Sequence, residues 1–221
     1  PVDRTPADRR SAAPGPRSAG PAPGADEADP TASSVRRGGL RGGQRERRER
    51  IVDAAVRMMA ERDYEKIQVK DVADEAGVAL GTLYRYFASK DHLFACALGK
   101  WGHGFGGRLV HPAGASALER VTAIYLKAAR AFEGDARVYE MITQLECTRD
   151  ARAAEIYAEF VHTQNRAFAS ALVDLPAEQH REIVWVMGAV LSEALRSRML
   201  GLFDMAGVYE RIETAARLIL K

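Results

Sequence analysis

The 221-residue chain has only two cysteines, Cys96 and Cys147, and neither has neighbours of metal-ligand type. That argues against a disulfide framework and fits a reducing compartment. The five histidines, His92, His103, His111, His162 and His180, show no ligand or triad spacing, and the sequence has no G-x-S-x-G, P-loop or C-x-x-C pattern. No catalytic residue, metal or cofactor is therefore expected, and the chain does not read as an enzyme. No apolar run approaches the roughly 20 residues of a membrane helix. Arg9-Arg10 is not followed by an apolar segment, so it does not read as a secretion signal. A cytoplasmic protein with no membrane partner is the expectation. Strand-like alternation is missing as well, which leaves an all-α fold.

What is present is unevenly distributed. The net charge is only +2, yet residues 1–50 hold eleven arginines against seven acids, so the remainder is slightly acidic. Residues 1–43 are rich in Pro, Gly, Ala, Ser and Arg without hydrophobic period. They cannot bury enough apolar surface to offset chain entropy, and a disordered basic arm is expected there. Such an arm points to a polyanionic partner. From Gln44 the texture becomes helical. The first helix is expected over 44–62, with Ile51, Ala55, Met58 and Met59 on one face and Arg45, Arg47, Arg48 and Arg50 crowding its first turns. Positive charge opposes the dipole at that end, a reason to place phosphates nearby.

Short helices follow over 69–76, closed by Gly77, and 79–87; Ser89 then caps a fourth that begins at Lys90. Two short helices around a glycine-containing turn make a helix-turn-helix, whose second helix enters the major groove of double-stranded DNA. Val72, Ala73, Val78, Leu83 and Phe87 are spaced to pack inward. Ala79, Leu80, Gly81, Thr82, Tyr84, Arg85 and Tyr86 are left outside, a surface without acids that suits phosphates and base edges. Arg85 and the backbone at Gly81 are candidates for reading bases. Arg45, Arg48, Lys70, Thr82, Tyr84, Tyr86 and Lys90 are candidates for holding DNA. A DNA-binding domain over 44–92 is expected.

The stretch 51–98 resembles the TetR family of regulators. It carries an apolar first helix, Tyr64, the run Val72-Ala73-Asp74-Glu75-Ala76-Gly77-Val78, and Gly81-Thr82-Leu83-Tyr84-x-Tyr86-Phe87-x-Ser89-Lys90. Asp63 stands where the family usually has Gly, and Asp tolerates a left-handed backbone. Gln68 and Ala79 stand where helix-capping Thr or Ser is usual. Gln68, Ala79 and Gln44-Arg45-Glu46-Arg47-Arg48 resemble the steroid-catabolism repressors called KstR.

The resemblance implies that residues 93–221 form a helical effector-binding and dimerisation domain, and that the protein is a ligand-responsive repressor. It would bind a palindromic operator as a homodimer and be released by a hydrophobic, steroid- or acyl-CoA-like effector. Ser116 with Glu119 reads as a capping box opening a helix, and further helices are expected over 138–147, 150–173, 176–199 and 205–220. Trp101, Phe105, Tyr125, Phe132, Tyr139, Met141, Tyr157, Phe160 and Trp185 are candidate cavity residues, with Gln144 and Gln164 as polar handles. Helix 176–199 is apolar nearly all round, so one side is expected on a partner subunit. Val186, Val190, Leu191, Ala194, Leu195 and Met199, with Val208, Ile212, Ala216 and Ile219 of the last helix, are the candidate dimer surface. Two other readings fit the residues: a helical small-molecule-binding protein or enzyme with a vestigial helix-turn-helix, and a DNA binder without effector.

Overall fold

In the computed structural model the backbone of residues 30–106, 114–134 and 136–220 is described, with side chains from Gly42 onward except 104–106 and Ala136. The expected disorder of residues 1–29 and the side chain of Phe105 fall outside these. All regular structure among the described residues is helical. The helices are α1 (Pro30–Glu61), α2 (Val69–Glu75), α3 (Leu80–Tyr86), α4 (Lys90–Gly106), α5 (Ala117–Ala131), α6 (Ala136–Glu146), α7 (Ala151–Ala169), α8 (Ala177–Met199) and α9 (Met205–Ile219).

Most boundaries fall within a residue or two of those the sequence predicts. The start of α1 does not. The backbone is helical from Pro30 rather than Gln44. Proline suits a first helical turn, whose N–H groups have no intrahelical partner. The glycines at 38, 39, 42 and 43, each costing about 1 kcal/mol against alanine, conceal that helix in the sequence. The chain from Arg41 onward forms a compact unit of its own.

Within 41–221 one apolar core runs continuously from Ile51 to Ala216. The structure therefore has no break in packing at the expected boundary between residues 92 and 93, and α4 crosses it unbroken. Near its start α4 contributes Leu93, Phe94, Ala97 and Leu98 to the core that α1, α2 and α3 share. Further along, α4 packs on α7, while α8 packs on α9 and α9 on α5. The capping box is present: Ser116 Oγ accepts from the Glu119 N–H, and the Glu119 carboxylate accepts from the Ser116 N–H at 2.8 Å.

One cation is buried in this framework. Arg120 of α5 donates through Nε to the Ala171 carbonyl at 2.9 Å and through Nη2 to Asp174 at 2.5 Å. It fastens α5 to the turn after α7, and its hydrogen bonds offset the desolvation that burying a guanidinium entails.

Candidate DNA-binding face and effector cavity

The turn between α2 and α3 is made by Gly77, whose φ of +65° lies in the left-handed region. The Gly77 N–H donates to the Asp74 carbonyl and the Val78 N–H to the Ala73 carbonyl at 3.0 Å, closing α2 in a Schellman arrangement. This reverses the chain so that α3 leans on α2 through Val72, Ala73, Leu83 and Phe87, all buried. Burying a side chain such as Leu83 or Phe87 contributes about 1.5–3 kcal/mol, so the orientation of α3 is set mainly by its inner face.

The outer face is the one the sequence predicts. Ala79, Leu80, Gly81, Tyr84 and Arg85 are exposed, with Thr82 and Tyr86 half-buried beside them. Tyr84 keeps 49% of its surface accessible. Neither Gln68 nor Ala79 makes a side-chain cap, so α2 and α3 both begin without one.

The candidate cations behave differently from one another. Lys70 and Arg85 are exposed. Arg45 is exposed and paired with Glu49 one turn on at 3.2 Å. Arg48 instead lies against the protein, its guanidinium 5.3 Å from the Phe87 ring centre and donating to Cys96 Sγ at 3.3 Å. Lys90 is likewise turned inward: its ammonium donates to the Tyr64 carbonyl and sits 4.1 Å over the Tyr64 ring. Burial moves its pKa down. Lys90 is thus a fastener of the helix-turn-helix rather than an open cation, whereas Arg48 stays exposed while touching Phe87 and Cys96. Asp63 is also not left-handed. Its φ is −60° and ψ 138°, ordinary extended backbone, and its carboxylate takes Lys66 and Arg137.

A cavity of about 320 Å³ lies among α4, α5, α6, α7 and α8, within the range of small-molecule sites. Seven candidates line it: Trp101, Phe132, Tyr139, Tyr157, Phe160, Gln164 and Trp185. Three do not. Tyr125 is buried in the core, stacked on Phe168 at 4.3 Å, with its hydroxyl donating to the Val184 carbonyl. Met141 is fully buried and Gln144 faces solvent on the far side of α6. Apolar side chains at helical spacing look alike in sequence whether they face a cavity or solid core.

The lining also holds Glu146, Asn165, Gly188 and Ser192, none of which the sequence singles out. Glu146 accepts from the Tyr157 hydroxyl at 3.0 Å, and the Tyr139 hydroxyl donates to the Ser192 carbonyl at 2.6 Å. Burial, with Glu146 nearby, raises the phenol of Tyr157; burial raises that of Tyr139 to about 12. Both phenols therefore act as neutral donors.

Six of the candidate dimer residues, Leu191, Ala194, Leu195, Val208, Ile212 and Ala216, are buried inside the chain itself. They have almost no surface left to give a partner, and Leu191 and Leu195 lie along the cavity. Val186, Val190 and Ile219 are half-buried and Met199 is exposed. The large apolar side chains that remain outside on these helices and the turn between them are Trp185, Met199, Leu200, Leu202 and Leu218, with Trp185 71% exposed.

The comparisons agree with this geometry. The profile of bacterial regulatory proteins of the tetR family matches residues 51–97. The transcriptional repressor KstR of Rhodococcus jostii (strain RHA1) is 34% identical over 178 residues, 80% of this chain and 84% of its own. A TetR transcriptional regulator from Rhodococcus sp. RHA1 superposes with a TM-score of 0.70 at 26% identity, covering 80% of this chain and 96% of that one. FadR from Bacillus subtilis, solved in complex with stearoyl-CoA, shares the fold with a TM-score of 0.60 at 22% identity, over 76% of this chain and 96% of its own. The helix-turn-helix, the all-helical body behind it and an identity to KstR that extends well past the matched motif give one conclusion: the chain belongs to the TetR family of bacterial regulatory proteins and is a transcriptional regulator.

Proposed function

We propose that this regulator is a repressor that binds a palindromic operator as a homodimer and is released by a hydrophobic effector. The observation that carries this is the pairing of two features in one continuous core: an outward α3 face without acids, and a 320 Å³ cavity that α4 connects to it. Arg85 and the backbone at Gly81 read base edges; Thr82, Tyr84, Tyr86, Lys70 and Arg45 hold phosphates. A dimer presents two α3 helices about 34–36 Å apart, the spacing of successive major grooves. The exposed apolar side chains of α8 and of the turn before α9 support a partner subunit there.

The relatives and the lining support two effector classes. KstR repressors suggest a steroid, the FadR complex an acyl-CoA, and the aromatic cavity accommodates an apolar body of either kind. A ligand that favours the wrong separation of the two α3 helices by about 3 kcal/mol weakens operator binding more than a hundredfold. Operating on chromosomal DNA, the protein works in the cytoplasm.

The test is footprinting and binding stoichiometry on DNA upstream of the protein's own gene. Two protomers protecting a palindrome support the reading. A single protomer, or protection that does not depend on sequence, contradicts it.

A further inference from the structure

Leu80 is the first residue of α3, and 38% of its surface is accessible. Leu83 and Phe87, by contrast, are fully buried and anchor the helix. Among the described residues from Gly42 to Leu98, the large apolar side chains left exposed are Leu80 and Tyr84. They stand four positions apart and so share one face of the helix. Between them, a Cβ at Gly81 would meet nothing within 4 Å, so the space in front of the backbone is open. Ala79, just before Leu80, is exposed as well. A single exposed leucine is ordinary on a protein surface, but this one opens the helix that meets DNA.

An apolar side chain there restricts what can lie opposite. The major-groove edges of the bases carry hydrogen-bond donors and acceptors, and thymine adds a C5 methyl, the one sizeable apolar group. Leucine against a guanine edge takes N7 and O6 out of water and gives neither a donor, which is unfavourable. Leucine against thymine removes the methyl and its own surface from water together. Recognition helices put their first residues on base edges, which is where Leu80 stands. Arg85, near the other end of α3, suits a guanine instead.

We propose that Leu80 is a specificity-determining residue of the operator contact and reads the C5 methyl of a thymine in each half-site. This rests on the DNA-binding reading above and adds to Arg85 and the Gly81 backbone a reader that makes no hydrogen bond. Ala79 fits the same surface. It leaves α3 without a side-chain cap, and it keeps a methyl rather than a hydroxyl at this apolar edge.

The test uses the full chain and a duplex that the wild-type protein selects from a randomised library. Each thymine of that duplex is replaced, one at a time, by uracil, which lacks the methyl and keeps every hydrogen-bonding group. The wild-type protein loses affinity about three- to fivefold at one thymine of each half-site, the effect of taking a single methyl out of an apolar contact. Leu80→Ala binds the thymine and uracil duplexes alike, and its binding to the uracil duplex shows that it still folds and docks. Leu80→Val serves if the alanine variant does not bind, and shows a smaller thymine preference than leucine. A selected half-site without thymine, or indifference to uracil at every thymine, overturns the proposal. So does a preference that survives Leu80→Ala unchanged. Each of these leaves DNA recognition by α3 standing, whereas failure to select any sequence overturns the proposal together with the reading on which it rests.

Discussion

Ser89 and Asp150, the residues that cap α4 and α7, are hydrogen-bonded to each other, the Ser89 hydroxyl donating to Asp150 Oδ2. The same Ser89 oxygen accepts from the His92 N–H, and Asp150 Oδ1 accepts from the N–H groups of Arg152 and Ala153. Two residues beyond Ser89, Asp91 accepts from Thr148 and from Tyr64. The turn between α6 and α7, both of which line the cavity, is thereby held to the first residues after α3. Under the proposed function, a displacement of α6 or α7 by an effector would reach α3 by this route as well as along α4.

The cap-to-cap bond is measurable as a coupling. Ser89→Ala and Asp150→Ala should each lower stability by about 1–2 kcal/mol, the usual cost of losing a helix cap. The double variant should lose less than the sum, because both single variants break the shared bond. Urea unfolding of the four proteins checks this; strict additivity would mean that the bond contributes nothing.

Ala79→Ser should stabilise the protein. Ala79 holds the extended backbone of an N-cap, φ −65° and ψ 143°, but offers no side-chain acceptor to the first turn of α3. A serine hydroxyl there satisfies one open N–H for a gain of about 1 kcal/mol, read as a higher urea midpoint.

Stability should fall as pH drops below the usual histidine range, and His92 is the cause. It is buried, and its Nδ1 accepts from the Ala88 N–H at 3.2 Å, which requires a neutral ring nitrogen. Burial holds its pKa below the usual value of 6.5, with Asp150 only partly opposing. The unfolded chain therefore takes up the proton first as pH falls. The contribution is full above the unfolded value and is lost down to the folded one. The Asp150 carboxyl, held low by Ser89 and by the α7 N–H groups, contributes at lower pH, since its stabilisation is lost only as pH falls through its own depressed value. Urea midpoints at about pH 7 and pH 5.5 should differ for the wild-type protein and differ less for His92→Gln.

Two substitutions on α3 separate affinity from specificity. Tyr84→Ala should weaken binding to all DNA sequences alike, as expected of a phosphate contact. Arg85→Ala should relax one base position by about 1–3 kcal/mol. Binding profiles over a library of operator variants measure both effects. An unaltered profile for Arg85→Ala would remove that residue from base reading.

The sequence makes the fold and the α3 face legible because both rest on local pattern. Period and capping locate α5 from Ser116 and Glu119, and alternation of buried and exposed positions around Leu83 sorts the helix-turn-helix. Three things are hidden. The extension of α1 to Pro30 is masked by glycines that the backbone tolerates. Lys90 looks like an open cation until Tyr64 is seen beside it. Glu146 looks like an ordinary surface acid until α7 brings Tyr157 against it. Contacts between helices have no signature in the spacing of a single one, which is also why six of the residues expected on the dimer surface lie buried inside the chain.

The central claim is that filling the cavity releases DNA. The direct measurement is fluorescence anisotropy of a labelled operator from the protein's own upstream region, titrated with a steroid and with stearoyl-CoA at fixed moderate salt. The account predicts that at least one probe lowers operator affinity a hundredfold or so, over the concentrations at which it quenches Trp101 and Trp185. Quenching of the tryptophans with operator affinity unchanged would contradict it.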